Sequence, residues 1–143
     1  MGISPSPTRN RAAITDLHYL PQQPLIVPRW TVHKQLRYWA KRGGEPLVID
    51  AALQYFDLKA VENQTIRHLS SGMQQRVWLA KLMVQPRAIW LLDRPLTGLD
   101  AEGLGMAERL IATRCQQNGI VLMVEERQNR LNPHHTLVME DFF

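Results

Sequence analysis

The sequence predicts an α/β fold built on a parallel sheet, and three observations favour this class. Ala88–Leu92 is a short, continuously apolar run bounded by Pro86 and Pro95, which is typical of a strand buried on both faces. Ile120–Val124 is a second apolar run that predicts another buried strand. Before each of these runs, apolar residues recur at helical spacing, so helices and strands alternate along the chain.

The first half of the chain is predicted from local start and stop signals. Residues 1–13 lack acidic groups and are rich in Ser, Pro and Arg, which predicts a flexible tail. Ile14–Leu20 is expected to form a strand. Thr31 is placed to cap a helix that ends at the Gly43-Gly44 pair, and Pro46 is placed to start the next helix.

The second half begins with a helix that Ser70 would cap and that runs to about Gln85. After the Ala88–Leu92 strand, residues 101–117 have the apolar spacing of another helix, which Asn118-Gly119 would stop. Thr136–Met139 is a candidate for one more strand. The Trp residues at 30, 39, 78 and 90 fall where helices or strands are expected, so we assign them to the core or to contacts.

Composition limits the class of protein. The 143 residues suit one domain, and 45% hydrophobic content is compatible with a real core. No run approaches the roughly 20 apolar residues of a membrane-spanning helix. The single Cys115 excludes an intramolecular disulfide and gives no zinc pattern. The net charge of +4 has no basic block, so we expect no nucleic-acid partner, although a basic surface could also rest against anionic lipid.

Two polar features mark candidate site chemistry. Ser70, Ser71 and Gly72 stand at the start of the predicted helix, where free backbone N–H groups and partial positive charge can receive a phosphate. The alternative is that Ser70 is an ordinary helix cap. Asp93 ends the first apolar strand, where a carboxylate could hold Mg²⁺ in a nucleotide site or simply cap the next turn.

The order and spacing of these segments resemble the signature, Walker B and D-loop stretch of an ATP-binding-cassette (ABC) ATPase. Leu69–Met73 is similar to the signature LSGGQ, with Ser71 and Met73 as departures, and Gln74-Gln75-Arg76 continues the motif. The resemblance implies that Asp93 is the Walker B aspartate, which would bind Mg²⁺ with the nucleotide. It also implies that Gln22 is the Q-loop glutamine and that Asp100 belongs to the D-loop.

The fold that this resemblance implies is a partial P-loop (RecA-like) nucleotide-binding domain over residues 14–143, without the N-terminal lobe and phosphate loop. Residues 31–68 would be part of the helical subdomain that touches a membrane subunit, and we expect Tyr38 and Trp39 to supply large side chains for that contact. Within the family, the chain most resembles the ATPase subunit of the cytochrome c maturation haem exporter. The segments that carry this likeness are Tyr19-Leu20, Gln23-Pro24, Thr31, Leu36–Trp39, Ile89–Asp93 and Asn118–Val121.

Three departures from the family pattern bear on hydrolysis. The sequence contains no G-x-x-x-x-G-K-[ST] motif, whose backbone and Lys would hold the phosphates. Arg94 stands where the family has its catalytic glutamate, and a cation cannot orient the attacking water as a carboxylate does. Glu126 stands in place of the switch histidine, after Glu125, and a carboxylate repels a γ-phosphate. Arg94 and Glu126 are also candidates to pair with each other.

Three functions remain open at this point. The first is a degenerate or split ABC subunit that supplies its signature, Ser70–Met73, in trans and does not hydrolyse ATP alone. Its partners would be a membrane-spanning exporter subunit and a second ATP-binding chain, or an N-terminal half, that carries Walker A. ATP and Mg²⁺ would bind only with that partner, and the protein would lie peripherally on the inner face of a bacterial or mitochondrial membrane. The second is a non-catalytic scaffold of a membrane complex. The third, suggested only by charge, is a module that binds nucleic acid or lipid surfaces.

Overall fold

The computed structural model describes residues 16–126 together with residues 131 and 133. The predicted tail over residues 1–13 and the predicted strand Thr136–Met139 lie outside the described residues. The predicted strand at Ile14–Leu20 is observed within the described part as β1, Leu17–Leu20.

Within the part of the chain that the structure describes, three parallel strands form a sheet in the order β1-β2-β3. β2 spans Ile89–Asp93 and β3 spans Ile120–Val124. The register pairs Leu20 with Leu92, and Leu92 with Met123. All three strands therefore end at one edge of the sheet, called here the carboxyl edge. The parallel sheet that the apolar runs predict is confirmed.

The described residues contain four α-helices: α1 (Val32–Ala40), α2 (Ile49–Tyr55), α3 (Ser71–Val84) and α4 (Ala101–Gln116). Short 3-10 turns lie at Pro46–Val48, Lys59–Val61 and Ile66–His68. Thr31 caps α1 as predicted, because its Oγ1 accepts a hydrogen bond from the Lys34 N–H at 3.2 Å.

The end of α1 differs from the prediction. The helix closes at Lys41, before the glycine pair that was expected to end it. Gly44 serves a close approach instead, because a Cβ added there would lie 2.3 Å from the Val84 carbonyl oxygen at the end of α3. The α1–α2 connection can pass this close to α3 only with a glycine at position 44.

The helices and one face of the sheet share a single apolar core. Trp39, Trp78 and Trp90 are buried in it, and the Trp39 and Trp78 rings lie 5.8 Å apart. Trp30 instead lies in the turn before α1 and is only partly buried. Burial of Trp39 contradicts the idea that its ring faces a membrane subunit, whereas Tyr38 remains 36% exposed.

Gln85, which caps the C-terminus of α3, joins α1 to the sheet. Its side-chain Nε2 donates to the carbonyl oxygens of Trp39 and Arg42 at 2.7 and 2.8 Å. Its Oε1 lies 3.3 Å from Nε2 of the buried His18 on β1. Burial lowers the pKa of His18 from 6.5 to about 4, assisted by the positive charge of Lys81, while the hydrogen bond to Gln85 works in the opposite direction.

The prediction that Ile120–Val124 is a buried strand is wrong for one of its two faces. Val121 and Met123 pack against the core, whereas Ile120, Leu122 and Val124 are each more than half exposed. The apolar run correctly marks a strand of a parallel sheet, but it does not reveal whether a layer of chain covers both sides.

Candidate functional site

The signature segment opens α3 at an exposed helix N-terminus. Ser70 has extended backbone dihedrals, and its Oγ accepts a hydrogen bond from the Met73 N–H at 3.2 Å. Ser70 and Ser71 are exposed, whereas Met73 is partly buried against the core. The Ser70 hydroxyl therefore acts as a helix cap, and the N-terminus of a 14-residue helix faces solvent beside it.

Gly72 brings the signature against the loop that precedes Asp100. A Cβ at this position would lie 3.2 Å from the Gly98 carbonyl oxygen. Gln75 makes a second link, because its buried Nε2 donates to the Pro95 carbonyl oxygen at 2.9 Å. The start of α3 and the loop at residues 94–99 thus form one packed unit.

Arg76 connects the same helix to the start of α4. Its Nη2 lies 2.8 and 2.9 Å from the two carboxylate oxygens of Asp100 and 3.1 Å from the Glu102 carboxylate. Only 5% of the Arg76 side chain is exposed. The hydrogen bond from Arg76 lowers the pKa of Asp100, assisted by the Gly103 N–H, so this carboxylate stays ionised.

Asp93 lies at the carboxyl edge, as predicted. It is partly buried, and within the described residues its carboxylate makes no hydrogen bond or ion pair. This arrangement fits a carboxylate that acts as one ligand of a Mg²⁺ ion bound with phosphate oxygens. Among the described residues no group of three His, Cys, Asp or Glu side chains could hold a metal ion.

Arg94 and Glu126 meet beside Asp93. The guanidinium of Arg94 forms an ion pair with the Glu126 carboxylate, which confirms that the two residues pair. Arg94 has a left-handed backbone, with φ of 48°, and its N–H donates to the Val124 carbonyl oxygen at 2.8 Å. Left-handed backbone costs about 1 kcal/mol in a residue with a Cβ, so this bond helps to hold an unfavourable turn.

The sheet topology determines where the remaining candidate site residues lie. Gln22 lies just beyond β1 and is exposed, so the chain brings it to the same edge as Asp93 and Arg94. Glu125 follows β3, and its Oε2 accepts a hydrogen bond from the Leu96 N–H at 3.3 Å. The roles proposed for Gln22, Asp93, Asp100 and Ser70–Met73 stay predictions. The adjacent histidines His134 and His135, a pattern that could ligate a metal, lie outside the described residues.

Similarity to known proteins identifies the family of this chain. The family model of ABC transporters matches residues 3–97, which is more than half of the chain. The chain belongs to the ABC transporter family. The match includes the start of α3 and the end of β2, and the assignment of these residues to the signature and Walker B segments stays a prediction.

Curated members of the family give a more detailed comparison. The cytochrome c biogenesis ATP-binding export protein CcmA of Brucella abortus (strain 2308) is 38% identical over 106 residues, which cover 73% of this chain and 49% of that protein. CcmA of Rhodospirillum rubrum is 34% identical over 127 residues, which cover 88% of this chain and 54% of that protein. The chain thus spans about half the length of the curated relatives it matches.

Solved structures of ABC proteins share the fold. The ATP-binding subunit of an ABC transporter superposes with a TM-score of 0.61 at 21% identity, covering 77% of this chain and 48% of that one. A putative ABC transporter ATP-binding protein from Pyrococcus furiosus gives 0.67 at 20% identity, covering 80% and 59%. These likenesses confirm the predicted fold, a partial nucleotide-binding domain of the ABC type.

Sequence reasoning missed the contacts that organise this ABC site. Arg76 and Gln75 were noted only as a continuation of the signature, yet they tie α3 to Asp100 and to Pro95. The available signal was their place in α3, where an arginine and a glutamine occupy buried positions among apolar neighbours. In the described residues no helix combines the length and the apolar character that crossing a membrane requires.

Proposed function

We propose that this chain is an ABC-type subunit that works with a membrane exporter in cytochrome c biogenesis, with haem as the exported cargo. It supplies its signature to a nucleotide held by a second chain and does not itself hydrolyse ATP. The similarity to CcmA proteins supports the process and the membrane partner. A peripheral position on the inner face of the membrane follows from this assignment.

The Arg94–Glu126 ion pair carries the proposal that hydrolysis is lost. It occupies the end of β2 and the segment after β3, beside the Walker B aspartate Asp93. A general base must accept a proton or orient water, and an arginine that is already charged and paired can do neither. The Arg94–Glu126 pair would deprive the site of this base whichever polypeptide supplies the phosphate loop.

The signature retains what is needed to receive a phosphate from another chain. Ser70 and Ser71 are exposed at the N-terminus of α3, where N–H groups and the helix dipole favour an anion. Arg76 and Gln75 hold that helix end rigidly against the D-loop. Mg²⁺ bound with a nucleotide would offset phosphate charge, and Asp93 is the side chain of this chain suited to contact it.

Association with a full-length CcmA relative that carries a phosphate loop tests the proposal. MgATP, but not ADP, should increase binding of this chain to that relative. Gly72→Asp should abolish the increase, because a carboxylate would face the phosphate at the helix N-terminus. Light scattering and pull-down would measure association, and circular dichroism would verify the fold.

Two matched variants separate the effect of the negative charge in Gly72→Asp from the effect of the added side-chain volume. Gly72→Ala adds only the Cβ that would approach Gly98, and it should retain most of the ATP effect. Gly105→Asp makes the same change in α4, where an added Cβ meets the flexible Arg109 side chain, and it should behave as the wild type. Assembly that is indifferent to ATP and to Gly72→Asp would favour the scaffold function instead.

A further inference from the structure

Positive charge is concentrated on and around α1. Residues 17–44 contain no Asp or Glu, and they contain five cationic side chains: Arg29, Lys34, Arg37, Lys41 and Arg42. All five are exposed. With histidines neutral, this stretch carries a charge of +5 against a net charge of +4 for the whole chain, so the rest of the sequence carries a charge of −1. The positive excess of this protein therefore belongs to one segment of its surface.

α1 presents four of these cations along one side. The opposite side of the helix is buried in the core. Lys34, Arg37 and Lys41 follow one another at intervals of three and four residues, so their side chains share the solvent-facing side. Arg42 comes directly after Lys41 at the end of the helix. We call these four residues the basic stripe.

Two aromatic rings hold the ends of the basic stripe in place. The Lys34 Nζ lies 4.9 Å from the centre of the Trp30 ring, and the guanidinium carbon of Arg42 lies 4.5 Å from the centre of the Tyr38 ring. Trp30 and Tyr38 pack edge to face, with ring centres 5.1 Å apart. A cation on the face of a ring still has N–H groups available to an outside acceptor. The basic stripe is therefore partly ordered before any partner arrives.

The basic stripe has no counter-charge within the described residues. None of its four side chains forms an ion pair with a described carboxylate, whereas Lys59, Arg76 and Arg94 each form one. Arg87 adds another cation beside the end of α1, because its Nη1 donates to the Gly43 carbonyl oxygen at 3.0 Å. A cluster of cations without carboxylates complements an anionic partner.

We propose that the basic stripe contacts the anionic phospholipid headgroups of the membrane in which the exporter lies. Phosphate oxygens accept charge-assisted hydrogen bonds from Lys and Arg, and basic side chains on an amphipathic helix are attracted to anionic leaflets. The cations extend over about 10 Å of a convex helix surface, which a flat layer of headgroups can contact along its whole length. This inference rests on the proposed function, because that function places the chain beside a membrane. The lipid contact adjoins the contact predicted between Tyr38 and a membrane subunit.

Sedimentation of the full chain with protein-free vesicles tests the basic stripe. Phosphatidylcholine vesicles with about 30% phosphatidylglycerol should bind the chain at low ionic strength, and pure phosphatidylcholine vesicles should not. Binding should fall in about 0.5 M salt, where screening acts within a few ångströms. Arg37→Glu and Lys34→Glu should each weaken binding about tenfold or more, because each replaces a cation with an anion. Circular dichroism would verify that both variants are folded.

Arg109→Glu is the matched control. It makes the same change of charge at an exposed position of α4, so it should alter vesicle binding less than about twofold. Equal weakening by Arg37→Glu and Arg109→Glu would overturn the proposal, because net charge and not the basic stripe would then cause binding. Failure of the wild-type chain to bind anionic vesicles, or equal binding to neutral ones, would overturn it too.

Two further results would assign the basic stripe to another class of partner. Binding only to vesicles that contain the exporter's membrane subunit, lost in Arg37→Glu, would assign it to an acidic segment of that subunit. Tighter binding to a DNA duplex than to anionic vesicles, with the same loss, would assign it to nucleic acid. The protein-free vesicles contain neither exporter nor nucleotide, so this test can fail while the ATP-promoted association tested above succeeds.

Discussion

The Nη2 of Arg76 donates to both carboxylate oxygens of Asp100, at 2.8 and 2.9 Å, across the loop that follows β2. Asp100 has a second task, because its Oδ1 accepts the Gly103 N–H at 2.9 Å and so caps α4. One carboxylate therefore fixes the signature helix and the start of α4 relative to each other. Asp100, the predicted D-loop aspartate, therefore has a structural role that does not depend on nucleotide.

Substitutions at Asp100 should separate these two tasks. Asp100→Ala removes both the ion pair and the cap, whereas Asp100→Asn retains an acceptor for the Gly103 N–H. We expect Ala to lower the free energy of unfolding more than Asn, with both variants leaving Arg76 short of an anionic partner. Urea unfolding measures the difference, and Glu102→Gln should cost less than either. Equal losses for Ala and Asn would show that the cap contributes nothing.

His18 should make the protein sensitive to mild acid. Its pKa is about 4 in the folded state against 6.5 in the unfolded state, so the unfolded chain binds more protons below pH 6.5. Stability should be fully present above pH 6.5 and should fall between pH 6.5 and 4, by roughly 2 to 3 kcal/mol at pH 4.5. Urea unfolding across this range measures the slope.

Two variants test whether His18 causes this dependence of stability on pH. His18→Leu removes the titrating group and should flatten the profile, even though it leaves Gln85 with one partner fewer. His68→Asn is the matched control, because His68 is exposed, and it should keep the wild-type profile. A His18→Leu variant with an unchanged slope would show that other groups cause the acid sensitivity.

Adjacent aromatic residues of α1 should respond differently to truncation. Trp39→Ala empties a buried site against Trp78 and should cost about 3 to 5 kcal/mol of stability. Tyr38→Ala removes a partly exposed ring that packs edge-on against Trp30, and it should cost about 1 kcal/mol or less. Tyr38 remains the residue predicted to contact a membrane subunit. Chemical denaturation and co-purification with that subunit measure the two effects, and normal co-purification of Tyr38→Ala would contradict the predicted contact.

Replacing Arg94 with glutamate and Glu126 with histidine, the residues of the family pattern, should restore ATP hydrolysis. In a complex with an N-terminal half that carries Walker A, the wild-type chain should show background ATP turnover. Arg94→Glu combined with Glu126→His should raise turnover about 100-fold, the usual scale of a general base. Arg94→Glu alone should do less, because it places a second carboxylate opposite Glu126. Wild-type turnover that is abolished by Asp93→Asn would refute the loss of hydrolysis.

The elements with strong local signals could be predicted from sequence. Ser70 and Thr31 cap helices because their hydroxyls satisfy backbone N–H groups, which is a local rule. The apolar run at Ile89–Asp93 identifies a parallel strand, and Asp93 lies at its carboxyl end. The Arg94–Glu126 pair was predictable because parallel strands deliver both residues to one edge.

Features that depend on distant packing were not predictable in this way. Tyr38 and Trp39 are neighbours with similar chemistry, and only the position of α3 decides that Trp39 is buried. The exposure of Ile120 and Leu122 depends on whether another layer covers the sheet, which composition does not record. The ion pair of Arg76 with Asp100 joins residues 24 positions apart, and hydrophobic periodicity within one helix cannot predict such a contact.

The side chain of Gln85 has a mechanical consequence. Its amide group is bonded to the two carbonyls at the end of α1 and to the imidazole on β1. A displacement of α1 by about one ångström would stretch these bonds beyond hydrogen-bonding distance unless β1 moved with it. A force that displaces α1 would therefore be transmitted to the sheet through the side-chain amide of Gln85.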